Sequence, residues 1–195
     1  MILTCDDFGI HKDIDKSIIQ LCKKKKVDAV SVICCGKNFP NSSKSLLKYR
    51  DDISIGIHAT WVEEKSISKI KNISSLITKD NYFNHNFKSF YIKWLLGIVS
   101  LKHLEIELEN QILKLMRVFG RIDHLDSHQH IHMIPEIFKL CINMAEKYDI
   151  PRIRIVDEIF PTNLTRISDP IKLIGEKFLK VWAKKNRKYL KKGSI

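Results

Sequence analysis

At 195 residues with 44% hydrophobic side chains, the chain is long enough for one domain with a sizeable core and too short for two. Its net charge of +12 is uneven: Lys177–Lys192 holds eight Lys or Arg and no acid, leaving +4 elsewhere, so no general nucleic-acid surface is expected. No apolar run approaches the roughly 18 residues of a membrane span, the amino terminus lacks a secretory pattern, and five cysteines without a Cys-x-x-Cys pair argue against a disulfide framework, so a cytoplasmic setting is expected.

Along the chain, strand-like and helix-like segments alternate. Ile2–Cys5 is a short apolar run, and Asp13–Lys24 carries Ile14, Ile18, Ile19 and Leu21 at helical spacing, with Asp13 as its expected cap. Val27–Cys35 is β-branched and apolar, a helix is expected around Ser43–Tyr49, and Ile53–His58 reads as a strand. From Thr60 to about Asn86 the periodicity fades, and a loop of that length predicts a lid or binding loop. Helical patterns return at Phe87–Ser100 and Leu104–Phe119, the second stopped by Gly120. Strand Arg121–Asp126, helix Pro135–Tyr148 and strand Arg152–Val156 follow. The last element, 169–195, reads as a basic amphipathic helix whose apolar stripe of Phe178, Val181, Trp182, Tyr189 and Leu190 lies on the protein. Alternation of this kind predicts a largely parallel sheet covered by helices, in a single catalytic domain over 1–195.

The run His124-Leu125-Asp126-Ser127-His128-Gln129-His130-Ile131-His132 is the most concentrated chemistry in the chain. It places four histidines and a carboxylate at alternate positions, which share one face while the backbone stays extended. Neutral imidazole binds metal, so the run reads as part of a metal site. Nine extended residues cover roughly 25 Å, so the run supplies only one or two ligands. Asp6-Asp7-Phe8-Gly9 and His58 offer the others, and all three clusters fall at the carboxyl ends of expected strands, where parallel α/β proteins gather their sites. One carboxylate with two imidazoles leaves coordination positions open for water or substrate, the catalytic arrangement. Of the adjacent aspartates, Asp7 is suited to the metal and Asp6 to taking a proton from water. Gly9 suits a tight turn and Gly56 a close approach beside His58. Arg152 and Arg154 share a face and are placed to meet a carboxylate at the rim. His11, His85 and His103 stand alone and read as surface or loop residues.

Asp6-Asp7-Phe8-Gly9, Gly56-Ile57-His58 and the histidine run with Pro135, in that order and spacing, resemble the YdjC/ChbG-like carbohydrate deacetylases, which include HpnK-type hopanoid-biosynthesis deacetylases. The resemblance extends from Met1 to about Val156 and implies a distorted (β/α) barrel of the polysaccharide-deacetylase-like type. It also implies hydrolysis of an N-acetyl group on a carbohydrate or glycosylated lipid, dependent on a divalent metal ion, Mg2+ or Zn2+. By motif, Asp7, His58 and His128 would hold the metal and Asp6 would be the general base. His130 and His132 would lie nearby, one of them protonating the leaving amine, with His124 and Asp126 behind the ligands and Asp126 orienting an imidazole. Arg152 or Arg154 matches a substrate-side arginine, and Trp61 is available either to stack on a sugar ring or to fill the core. Five expected strands and the absence of a late His-Pro-Gly predict a barrel incomplete at its carboxyl-terminal end. Alternatives are another metallohydrolase such as a phosphoesterase, or a metal-binding family member without turnover. Peripheral membrane contact through the basic tail and a homodimer complete the expectations for partners.

Overall fold

The structure is a computed structural model that describes residues 2–78, 80–83, 86–157 and 170–190. Four strands, β1 (Thr4–Phe8), β2 (Ala29–Val32), β3 (Ser54–Ala59) and β4 (Leu125–Ser127), form one parallel sheet in the order β1-β2-β3-β4. Helices α1 (Lys12–Lys23), α2 (Phe39–Leu47), α3 (Phe87–Leu95), α4 (Leu101–Phe119), α5 (Pro135–Lys147) and α6 (Pro170–Asn186) accompany it. Sheet order follows chain order without reversal. The strands therefore wind in one direction, as in a (β/α) barrel, rather than outward from a central switch point.

The two faces of each strand differ in chemistry. Val30, Val32, Ile55, Ile57 and Leu125 are fully buried and pack with Leu104, Leu108 and Ile112 of α4 in the main core. The alternate positions Asp6, Ser31, Gly56, His58, His124 and Asp126 carry small or polar groups to the other, concave side. Register aligns them: Ser31 pairs with Gly56 and His58 with Asp126.

Several boundaries depart from the sequence expectations. The Arg121–Asp126 strand begins its ladder only at Leu125, because the Asp123 carboxylate takes the Ile55 N–H at 2.8 Å and two bonds from Arg50 at 2.6 and 3.0 Å. Arg152–Val156 makes a single parallel bridge, Ile153 to Leu125, instead of a full strand. The helix expected to reach Ser100 ends at Leu95, with Gly97 at φ 68°. His11, not Asp13, caps α1, its Nδ1 accepting from the Asp13 N–H. His103 is likewise partnered, its Nδ1 lying 2.8 Å from Ser75 Oγ.

The long segment after β3 is packed rather than a free lid. Trp61, Val62, Ile73 and Leu76 are buried, and two buried polar residues of α4 pin the segment. Glu107 accepts from the N–H groups of Ile67 and Ser68 at 3.0 Å each, while Gln111 accepts from Thr60 N–H at 3.0 Å and donates to its carbonyl at 2.7 Å. In α6, Trp182 and Ala183 face the protein, but Phe178 and Val181 are exposed, so the expected stripe is split. Asp169, residues 191–195 and His85 lie outside the described residues. Among the described residues, no helix is long and apolar enough to cross a membrane, and all five cysteines are unpaired.

Candidate metal centre

The site begins where β1 bends. The pairing register shifts between Cys5 and Phe8, and Asp7 adopts φ 64°, a left-handed conformation that separates the two aspartates. Gly9 completes the turn at φ 106°, where a Cβ would stand 2.5 Å from the Ile33 carbonyl oxygen. Asp6 Oδ2 accepts from Arg154 Nη1 at 2.8 Å, and its Oδ1 is buried without a hydrogen-bond partner. Asp7 turns the other way, its Oδ1 lying 3.0 Å from His128 Nδ1 and 3.4 Å from His58 Nε2. Of seven non-glycine residues with positive φ among the described residues, Asp7, Glu63, Gln129 and His130 belong to this site, so backbone strain is concentrated there.

His58 sits on β3 with 3% exposure, and its Nδ1 donates to Asp126 Oδ1 at 2.7 Å. That bond leaves Nε2 facing Asp7. Opposite it, His128 lies between two carboxylates, Nδ1 toward Asp7 and Nε2 3.1 Å from Glu63 Oε2. Glu63 also accepts from Gln129 Nε2 at 2.5 Å, and Gln129 Oε1 receives the Phe87 N–H at 2.6 Å. Sequence reasoning missed Glu63, which reaches the site only because the segment after β3 is packed against α4; its one sequence signal was its position shortly after His58.

The expected shared face of the histidine run holds only as far as the strand. His124 and Asp126 point into the concave side, but after Ser127 the chain enters a 3-10 turn, with Gln129 and His130 left-handed at φ 51° and 55°. His132 is consequently fully buried with both ring nitrogens engaged. Ser127 Oγ accepts the His132 backbone N–H at 2.9 Å and lies 2.7 Å from Nδ1, while Nε2 donates to the Arg154 carbonyl at 3.0 Å. A histidine so enclosed braces the turn, and the catalytic role expected for it does not hold. His130 remains beside the site, its Nδ1 buried and unpartnered.

Two expected substrate residues are also placed elsewhere. Trp61 is fully buried with Nε1 donating to the Leu104 carbonyl at 3.3 Å, so its ring fills the core rather than stacking on a sugar. Arg152 turns toward the amino ends of the strands, donating to the Asp123 carbonyl and to Ser54 Oγ. Arg154 stays at the rim, bridging Asp6 Oδ2 and Asp126 Oδ2 at 2.8 and 3.2 Å. Gly56 makes room for His124 rather than His58: a Cβ there would lie 2.2 Å from the His124 ring.

The charge states follow from these contacts. Hydrogen bonds from His128 and His58 hold the Asp7 carboxyl well below the usual range, against the opposing effect of burial. Burial works against a charged His58, yet the Asp126 and Asp7 carboxylates push it up to about 9. His128 is raised in the same way by Asp7 and Glu63. Burial lowers His130, aided by nearby Arg154, and lowers His132 to about 4.

The donor set fits a divalent cation. Donor atoms from Asp7, His58 and His128 all lie within 4.8 Å of one another. Around a tetrahedral zinc with bonds of about 2.0–2.1 Å, donors stand roughly 3.3 Å apart, close to the 3.0 and 3.4 Å separations from Asp7 to the two imidazoles. A second grouping, Asp6, His58 and Asp126, already has the Arg154 guanidinium against both its carboxylates.

A one-directional parallel α/β sheet with a carboxylate and two imidazoles at its carboxyl rim has the layout of a catalytic (β/α) barrel. The chain belongs to the family of YdjC-like proteins, whose description matches residues 1–195. It is 28% identical over 151 residues to a carbohydrate deacetylase of Thermoanaerobacter pseudethanolicus, covering 77% of this chain and 58% of that one. It is 30% identical over 173 residues to a carbohydrate deacetylase of Xenopus laevis, covering 88% and 55%. A chitooligosaccharide deacetylase of Escherichia fergusonii is 24% identical over 156 residues, covering 77% and 57%. The chain thus spans a little over half the length of these relatives. A crystal structure from Enterococcus faecalis, of a protein named for cellobiose-phosphate cleavage, superposes with a TM-score of 0.70 at 22% identity. It covers 94% of this chain and 64% of that one, and shows the shared distorted-barrel fold.

Proposed function

We propose that the protein removes an N-acetyl group from a carbohydrate, releasing acetate, with a divalent cation held by Asp7, His58 and His128. The observation that carries this reading is the convergence of those three donors beside an Asp6 oxygen that is buried and without a partner. The relatives named as carbohydrate deacetylases support the same chemistry. Imidazole donors favour zinc over magnesium, and a free oligosaccharide or the sugar of a glycolipid is the substrate.

When bound, the ion supplies a Lewis acid that polarises the amide carbonyl and makes water a better nucleophile. The remaining chemistry belongs to the side chains. Arg154 anchors Asp6 through Oδ2, so Oδ1 is the atom that accepts a proton from the attacking water. Asp126 holds His58 in the tautomer that presents Nε2, and Glu63 fixes the far side of His128. His130 is the histidine for the leaving amine. Burial and Arg154 make it a weak holder of a proton and therefore a strong donor once charged.

Acetate release from N-acetylglucosamine oligomers by the zinc-reconstituted chain, with Asp6→Asn as the blank, tests this reading. Release that disappears in the variant is expected. A metal-loaded chain that yields no acetate from any N-acetylated saccharide or glycolipid overturns it.

A further inference from the structure

Behind the metal centre, a file of hydrogen bonds crosses the concave face from Arg152 at the amino ends of the strands to His58 at the carboxyl rim. Arg152 Nη2 lies 3.2 Å from Ser54 Oγ, which is 3.0 Å from His124 Nδ1. His124 Nε2 is 2.9 Å from Ser31 Oγ, Ser31 Oγ donates to Asp126 Oδ2 at 2.9 Å, and Asp126 Oδ1 meets His58 Nδ1 at 2.7 Å.

The proton directions in this file follow from its carboxylate end. Asp126 only accepts, so Ser31 gives it its one hydroxyl hydrogen and can only accept from His124 Nε2–H. The His124 ring, held neutral by burial, then accepts at Nδ1 from Ser54, whose oxygen accepts from the Arg152 guanidinium. A carboxylate only accepts, so His58 must also donate from Nδ1, which leaves Nε2, facing Asp7, as the nitrogen that a cation would take once its proton is displaced. Reversal at Ser31 would leave the Asp126 carboxylate facing an oxygen with no hydrogen to give.

We propose that Ser31 and His124 are positioning residues that fix, through Asp126, the orientation and tautomer of the His58 imidazole. This rests on the reading of Asp7, His58 and His128 as metal ligands. Neither residue belongs to the Asp7, His58 and His128 grouping, and His124 faces the cleft at the amino ends of the strands with Ser54 and Arg152. Two features separate the arrangement from ordinary satisfaction of buried polar groups. Ser31 and Asp126 are fully buried, and Asp126 gives Oδ1 to His58 and Oδ2 to Ser31 at 2.9 Å and to Arg154 at 3.2 Å, so a tilt of the carboxylate at Oδ2 is transmitted to Oδ1. Gly56 leaves the space that the His124 ring fills between Ser54 and Ser31, with only 2.2 Å available to a Cβ.

The test uses the full 195-residue chain, a chromophoric chelator competing for zinc, and long-range 1H–15N spectra of the imidazoles in the zinc-loaded protein. Ser31→Ala is expected to weaken zinc binding by about 10–100-fold, the range for partners of metal-bound histidines, and to shift the His58 Nδ1–H resonance. Ser54→Ala, two links further from Asp126, is expected to weaken it less. Should Ser31→Ala not fold, His124→Gln carries the same test. Wild-type protein that binds zinc while the folded variants bind it within twofold, with the His58 resonance unmoved, overturns the positioning role alone. Wild-type protein that takes up no zinc overturns the ligand assignment and the positioning role with it.

Discussion

The imidazole of His58 donates from Nδ1 to Asp126 Oδ1 across 2.7 Å, with neither residue more than 3% exposed. This single contact decides which nitrogen of His58 faces Asp7 on the concave side. Asp126→Asn keeps the shape but sets amide hydrogens against Ser31 or His58. The variant is expected to lose about 10–100-fold in zinc affinity while retaining its circular dichroism. Isothermal titration checks it, and an unchanged affinity would remove Asp126 from the centre.

Metal uptake should release protons. Burial opposes a charge on His58, but the two carboxylates raise it to about 9, so at pH 7 the metal-free side chain carries a proton that the cation must displace. Affinity is therefore expected to rise with pH up to about 9 and then level. Titration heats at pH 7 in buffers of different ionisation enthalpy should differ by about one proton or more. Identical heats in all buffers would contradict the charge assignment.

His132 gives the metal-free protein an acid-sensitive element. Burial lowers its folded value to about 4, against about 6.5 in an unfolded chain. Between these values the unfolded state binds more protons, so stability falls as pH drops through that window. The contribution is on the order of 3 kcal/mol. His58, raised in the fold, acts oppositely: its contribution is complete below about 6.5 and lost as pH rises toward 9. Urea midpoints measured from pH 7 to 4 should fall less steeply in His132→Gln than in wild type; parallel curves would sink the argument.

Trp61 should behave as a core residue. Trp61→Ala is expected to cost about 3–5 kcal/mol, whereas Trp61→Phe should fold and leave KM for an N-acetylated oligosaccharide unchanged. A KM several-fold higher in the folded Phe variant would place the ring against substrate after all.

Glu107 holds the segment between β3 and α3 by two backbone N–H groups. In Glu107→Ala those donors lose their partner at a cost of roughly 1–3 kcal/mol, and amide exchange at Ile67 and Ser68 should accelerate. Unchanged exchange there would mean that other contacts secure the segment.

The sequence made Asp6, Asp7, His58 and His128 legible because each lies at or just beyond the carboxyl end of an apolar strand, where parallel sheets gather their sites. It failed at His132 because two consecutive left-handed residues end the strand period just after Ser127. Trp61 could not be assigned from pattern alone, since an aromatic after a strand suits a core or a binding platform equally. Glu63, Ser31 and Ser54 were invisible for a different reason: their roles arise from approach across the fold, and a serine in a strand announces nothing about the imidazole beside it. The parallel α/β class was readable from alternation, whereas the shortened β4 depended on the Arg50–Asp123 pair.

The contact between Asp7 and His128 joins residues 121 positions apart, with His58 between them on a third strand. No early fragment of the chain can hold all three ligands, so a cation at this centre recognises only the assembled arc of strands. It would then act as a late latch: its binding energy adds to native stability by mass action and slows unfolding, while leaving the rate of folding almost untouched.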